Sequence, residues 1–461
     1  MRDGLAQSYR LSFQQGVATG FPDMTAQAWR WACDRMAPQV PAVDLDAVVR
    51  TATTVLSSQV REVDGRSGVP LEADAVRADR PGLDSSAVMG FVGANTDAAH
   101  LLLRAADRLG SGPGSVLRRQ GLAVLDAFTR IPLEPPEAEG FDTRSGEPTT
   151  YRTFEGRPAV YARSIAEGCA AVLAAADWET WHQRTVPQRW VQWARSGGDW
   201  IVAQQRPDGS LPRAWEAGSG AVLDASTSAA YVVVPFLVAL DRAVGGDAYR
   251  TAALRAGEQA WAEVGAAGVF AGGTLDNPDV VDKEASILAA EAFLALLDVT
   301  GDLVWLDRAV LAAGLAETWT YIWDVRMPLD GLDEELHWKR GVPTTGHQLI
   351  TTGASMTDGF LAVNAATFAR LWVATGDTHW LDVARLVTHG TTTMLALEGR
   401  TFDLRGPGWQ QEHWCFGGRR GYGLNRSWLP WVAVAHVGGV TRLEDLGGDV
   451  AAAVLRPSGW G

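Results

Sequence analysis

Apolar residues recur along most of the chain at the three-to-four-residue spacing of one helix face, not with the alternation of a strand. This periodicity predicts twelve helices, at about 24–37, 44–61, 95–110, 114–130, 160–176, 185–205, 226–243, 247–264, 282–299, 302–323, 356–374 and 378–397. The connections alternate in length. Within each successive pair of helices they run from two to eight residues, and from one pair to the next from seventeen to thirty-three. Short connections force neighbours antiparallel, so the pattern predicts six αα-hairpins in series with every long loop leaving from the same end. Long ordered loops usually carry function, which makes that end the place to look for chemistry.

The odd-numbered predicted helices are apolar or small on nearly all sides, as in STSAAYVVVPFLVAL and ASILAAEAFLALL. The even-numbered ones are more amphipathic, as in AYRTAALRAGEQAWAEV. A helix buried all round belongs inside and an amphipathic one outside. The expectation is therefore an all-α (α/α)6 toroid with minor β content, its long loops and inner-helix N-termini opening on one face. It should form one domain over 1–461, with hairpins at about 24–397 and a closing segment at 398–461. An internal repeat marks the opposite end. TGDLVWLDRA (300–309) and TGDTHWLDVA (375–384) share TGDxxWLDxA, and GGDAYRTAA (245–253) is a weaker echo. Gly301 and Gly376 suit the left-handed residue that ends one helix, and Asp302 and Asp377 can cap the next. These aspartates are given a structural role.

Six hairpins punctuated by TGDxxWL turns resemble the six-hairpin glycosidase superfamily over about residues 20–430, and WIVAQQRPDGSLPRAW (200–215) is similar to the QxxDGSW-type turn of α/α toroids. The resemblance implies hydrolysis of glycosidic bonds in a cleft above the inner helices. Related toroids house lyases, epimerases and cyclases, so the site residues must decide the reaction.

Composition narrows the partners. Of 461 residues 47% are hydrophobic, enough for a large core, and the net charge of −14 argues against nucleic acid or an anionic membrane surface. No apolar stretch has membrane-spanning length, and MRDGLAQSYRLSF has no signal-peptide core. The three cysteines, Cys33, Cys169 and Cys415, are isolated and offer neither a disulfide framework nor a CxxC pair. A cytoplasmic protein with a carbohydrate substrate is expected. WCFGG (414–418) is similar to the WCxG element of zinc-binding lanthipeptide cyclases, but no CHG element follows and neither Cys33 nor Cys169 has a histidine beside it. Zinc is not expected, and no cofactor is implied.

The candidate chemistry centres on GGTLDNPDVVDKEA (272–285), which places Asp276, Asp279, Asp282 and Glu284 where the chain enters the ninth predicted helix on the long-loop face. Asp282 can serve as an N-cap, but one cap does not use four acids. Glycoside hydrolysis needs two carboxyl groups in different environments, one as acid and one as base or nucleophile. Asp282 or Glu284 is expected as one member, and Asp358 in GASMTDG or Glu412 in GWQQEHWCFGG as the other. Asp23 and Asp224 reach the same end and are expected to hold sugar hydroxyls. Of the twenty tryptophans, Trp215, Trp338, Trp409, Trp414 and Trp428 fall in or beside long loops, and Trp215, Trp338 and Trp414 are the ones singled out. A flat indole suits the apolar face of a sugar ring, so these three are expected as stacking walls. Two rival readings remain. In a polysaccharide lyase or epimerase, Tyr422, His413 or His347 would abstract a proton while Arg419, Arg420 and Arg426 bind a uronate carboxylate. In a non-catalytic glycan-binding toroid the same residues would hold sugar without turnover.

Overall fold

The computed structural model describes residues 10–76, 82–228, 230–325, 343–351, 356–415 and 427–455. Trp338, Tyr422 and Arg426, with Arg419 and Arg420, lie outside them. Fourteen α-helices occur among the described residues. In chain order they are α1 (Phe21–Met36), α2 (Leu45–Gln59), α3 (Asn95–Leu109), α4 (Pro113–Phe128), α5 (Ala162–Trp181), α6 (Gln188–Gln204) and α7 (Ala230–Val244). They continue with α8 (Asp247–Ala267), α9 (Lys283–Thr300), α10 (Val304–Glu317), α11 (Ala365–Thr375), α12 (Thr378–Thr392), α13 (Pro430–Glu444) and α14 (Gly448–Leu455).

Helices α3, α5, α7, α9, α11 and α13 form the inner ring, each packed on the next, with α13 closing back on α3. A short 3-10 turn at Phe360–Asn364 leads into α11 and carries much of its packing on α13. Helices α4, α6, α8, α10 and α12 lie outside, each against its predecessor, and α2 covers α13. The architecture is an (α/α)6 toroid. One pairing differs from the expectation. Helix α1 is not the first inner helix: it buries no residue fully and lies on the outside against α10, tied by Arg30 to Asp377 at 2.5 Å. The sixth inner helix is α13, PWVAVAHVGGVTRLE, from the segment expected only to close the fold. It is apolar or small nearly all round, the property that marks the other inner helices.

The repeated turns behave as their residues require. Gly301 and Gly376 end α9 and α11 in the left-handed region, at φ 69° and 72°. Asp302 Oδ1 accepts from Val304 N and Asp377 Oδ1 from His379 N, both at 3.0 Å. Trp305 then stacks on Phe293 and Trp380 on Phe368, with ring centroids 5.8 and 6.1 Å apart, joining outer helix to inner. Each such pair adds about 0.5–1.5 kcal/mol beyond the area it buries.

At the other end the six long loops are sewn into a circuit. Ser86–Val88, after α2, pairs with Gly140–Asp142, after α4. Arg157–Tyr161 of that second loop pairs with Ala214–Glu216 of the third. Arg213 of the third donates to the Thr274 carbonyl of the fourth, and Asp282 bridges to Thr351 of the fifth. Met356–Asp358 of the fifth pairs with Trp414–Cys415 of the sixth, whose Ser427–Trp428 returns to Ala73–Asp74 of the first. The described parts of the six long loops therefore share one face, as the alternation of connection lengths requires. No helix among the described residues is long and apolar enough to cross a membrane.

Candidate active site

The acidic turn divides its labour. Asp282 Oδ1 accepts from Ala285 N at 2.8 Å and Oδ2 from Thr274 N at 3.1 Å, so its two oxygens start α9 and pin the loop before it. This is a helix cap that leaves little capacity for substrate, in place of the catalytic role expected for it. The next two residues turn into the ring. Lys283 is fully buried, with Nζ 2.7 Å from Asp358 Oδ2 and 4.0 Å from Glu284 Oε1. Glu284 Oε2 lies 2.5 Å from Arg163 Nη1, in the first turn of α5. Arg163 also donates to Glu167 and to the Gly273 carbonyl, each at 2.6 Å.

The pairing of the fifth and sixth loops brings in the remaining groups. Thr357 stands opposite Trp414, so one step along the antiparallel ladder Asp358 comes beside His413. His413 Nε2 is 3.9 Å from Asp358 Oδ2 and 3.7 Å from Glu412 Oε1. Trp431 Nε1, in the first turn of α13, donates to Glu412 Oε1 at 3.4 Å. Asp358 Oδ1 accepts from Phe360 N at 3.0 Å. Three carboxyl groups, Glu284 from the first turn of α9 and Asp358 and Glu412 from the fifth and sixth loops, are thus interleaved with Arg163, Lys283 and His413.

Aromatic rings flank this cluster. Phe91 packs edge-on to Tyr151 and its face covers Arg163 at 4.6 Å. Phe360 lies 5.5 Å from Lys283 Nζ and contacts Trp431. Cations over ring faces are stabilised most where water is excluded. Burial raises the pKa of Glu412, against the opposing pull of His413 and the Trp431 hydrogen bond. Burial also raises Glu284, against Arg163 and Lys283. A raised carboxyl pKa moves the group toward the range in which a general acid works.

Several expected residues stand elsewhere. Asp23 bonds to Thr19 and Gln27 on the exposed α1, away from the cluster. Asp224 lies beside the cluster, not in it, pairing with Arg213 at 3.3 Å and closing a turn onto Ser226. Trp215 and Trp414 are buried packing residues and offer no face to a sugar. Trp215 stands opposite Val160 in its ladder, and both point into the helix core. Their neighbours Ala159, Tyr161 and Ala214 take the opposite face with Phe91. Trp414 packs under the loops against His347 and Phe402. His347 is buried and bonded to Thr393, not placed in the cluster. Arg163, Glu167, Phe91, Tyr151, Phe360 and Trp431 were not anticipated. Arg163 had a usable signal: like Lys283, it is a charged residue in the first turn of an apolar inner helix.

The arm carrying Tyr151 is tied down by a buried acid. Glu139 accepts from Tyr151 N at 2.6 Å and Tyr161 N at 2.9 Å, and burial pushes its pKa up to about 7. The folded chain therefore holds a proton that the unfolded chain has released between about pH 4.5 and 7. The stability that Glu139 contributes is complete below that interval and is lost as pH rises through about 7. The displacement corresponds to about 3 kcal/mol. Urea unfolding of the natural chain and Glu139→Gln should thus differ by an amount that shifts against the natural chain by about this much between pH 4.5 and 8. A difference independent of pH would contradict this account of Glu139.

No family model matches the sequence, and no curated protein does. Solved structures do. D-Mannose isomerase superposes with a TM-score of 0.60 at 11% identity, over 91% of this chain and 100% of that one. Cellobiose 2-epimerase from Bacillus thermoamylovorans B4167 gives 0.58 at 12% identity, over 88% and 97%. A family 76 glycoside hydrolase (mannosidase) from Bacteroides thetaiotaomicron VPI-5482 gives 0.52 at 12% identity, over 88% and 100%. At these identities the likeness is one of architecture. The chain has an (α/α)6 toroid fold like that of these three proteins.

Proposed function

We propose that the protein is a glycoside hydrolase acting on an oligo- or polysaccharide. The observation that carries this reading is the pair of unlike carboxyl groups on either side of His413. Glu412 is buried with its pKa raised, and Asp358 is paired with the Lys283 ammonium. Glu412 protonates the glycosidic oxygen as the bond to the anomeric carbon breaks, and Asp358 supports the attack of water or of its own oxygen on that carbon. Glu284, held by Arg163, keeps Lys283 in place. The half-buried rings of Tyr151 and Phe360 present surfaces suited to the C–H faces of sugar rings.

A second reading, an epimerase or isomerase, is favoured by His413 itself. Its Nε2 stands between two carboxyl groups, the setting of a base that removes a proton from carbon beside a carbonyl. The likeness to an isomerase and an epimerase fits it as well. Reactions run in 18O-labelled water and in D2O on a panel of free sugars and oligosaccharides separate the two. Hydrolysis should put 18O at a new reducing end and leave carbon-bound hydrogen unexchanged. Deuterium on carbon without chain cleavage would make the protein an epimerase or isomerase. A product absorbing in the near ultraviolet would make it a lyase, and binding without turnover would leave the glycan-binding toroid.

A further inference from the structure

A cleft of about 560 Å³ lies away from the carboxylate cluster. It lies at the edge of the loop face, between the C-terminal end of α2, the first long loop, the turn at Thr143 and Arg144, and Arg405 of the sixth loop. This is the scale of pockets that enclose a small organic ligand, about 300–1,000 Å³. Three guanidinium groups, Arg61, Arg144 and Arg405, and the carboxylates of Glu72 and Asp84 stand on its walls.

Asp74 lines the cleft as well; Arg61, Arg144, Arg405, Glu72 and Asp84 form no ion pair with another described residue, and Arg61 donates to the Ser58 and Val60 carbonyls and to Gln59 Oε1 on its own segment. Arginines elsewhere on this chain form ion pairs readily, as Arg104 does with Asp445 and Arg184 with Asp107. Arg405 lies flat on Trp409, 4.3 Å from the ring centroid, which orients its plane while its side chain makes no hydrogen bond to another described residue. Arg144 makes one long bond, 3.4 Å, to the Leu83 carbonyl. Glu72 and Asp84 each give one oxygen to a backbone amide, of Asp84 and Ser86, and keep acceptor capacity on the other. Opposite charges thus line one gap without closing across it. A ligand that fits such walls must donate and accept at neighbouring positions, as the vicinal hydroxyls of a sugar do.

The cleft is one strand pair from the carboxylate cluster. Its wall includes Ala73 and Asp74, which pair with Ser427–Trp428, and the Ser427 carbonyl accepts from Glu412 N at 2.8 Å. We infer that this cleft is a second saccharide site, binding a short neutral oligosaccharide beside the catalytic cluster. The inference rests on the carbohydrate reading above and gives it an accessory subsite. Matched donors and acceptors favour an uncharged chain over a uronate.

Ligand-observed NMR on the full chain, with neutral gluco-, manno-, xylo- and galacto-oligosaccharides and an oligogalacturonate control, tests it. Turnover is suppressed by working in the Glu412→Gln background. Adding Arg405→Ala and Asp84→Asn, both at exposed residues, should weaken binding of a neutral oligosaccharide at least tenfold. Adding Asp358→Asn instead should leave that binding in place. Binding that disappears with Asp358→Asn but survives the cleft changes would overturn the second site while leaving the hydrolase reading intact. Binding of the galacturonate alone, or of no neutral oligosaccharide, would overturn it too. The isotope experiment then decides the reaction independently.

Discussion

Glu412→Gln is expected to lower kcat on whatever sugar is turned over by about 10²–10⁴-fold, the usual cost of losing a general acid. Stability should hardly change, because burial already disfavours the charged form of Glu412 and glutamine is a neutral group of the same shape. Asp358→Asn should lose turnover on a similar scale. Asp282→Asn provides the contrast. Asparagine caps a helix about as well as aspartate, so this change should cost at most a few tenths of a kcal/mol and leave turnover within a few-fold. Melting temperatures measured beside kcat separate the two behaviours. Near-normal turnover in Glu412→Gln would remove it as the proton donor, and Glu284, the other cluster carboxyl raised by burial, would take its place.

Lys283→Met is expected to destabilise the fold by about 3–5 kcal/mol, the loss seen when one partner of a buried ion pair is removed. The ammonium is fully buried, and its withdrawal leaves Asp358 without the cation at 2.7 Å and Glu284 with Arg163 alone. Desolvation, not the missing attraction, supplies most of the loss. Replacing both partners, as Lys283→Met with Asp358→Leu, should therefore recover much of it. Urea unfolding of the single and double variants measures this coupling. A loss below 1 kcal/mol in the single variant would mean that water reaches the pair. The predicted cost also explains why so unfavourable a group sits at an inner-helix N-terminus, where no structural rule asks for a lysine. Cations belong at the other end of a helix dipole, so Lys283 is held by Asp358 and Glu284 against its own helix.

Local order was legible in the residues. The helical period, the short turns and the caps at Gly301–Asp302 and Gly376–Asp377 depend on contacts a few residues apart and stand where the pattern places them, except that the helix expected over 356–374 begins only at Ala365, after a strand at Met356–Asp358 and a 3-10 turn at Phe360–Asn364. The alternation of short and long connections also carried the one-sided loop face, because a short turn leaves neighbouring helices no choice but to run antiparallel. The ring closure was decided at long range. Helices α1 and α13 both carry helical periodicity, and only packing shows that α13, apolar all round, fills the gap between α11 and α3 while α1 stays outside.

The site follows the same division. That the turn before α9 lies on the loop face is a consequence of chain order, and Glu284 and Asp358 could be named from it. Which acid caps and which faces the ring is a matter of one residue of helical rotation, about 100°, which the sequence does not set until the loop around Thr274 is packed. Arg163 and Glu284 are 121 residues apart and meet only because α5 and α9 share the inner ring. Trp215 turns inward for the same reason: alternation in a strand assigns it a side, but the pairing with Val160 decides which side is the core. The amino-acid sequence by itself determined most of the helices, the alternation of short and long connections and the end that carries the long loops. The tertiary structure alone decided which helix closes the ring and which charges converge, because those depend on contacts between segments that no local pattern encodes.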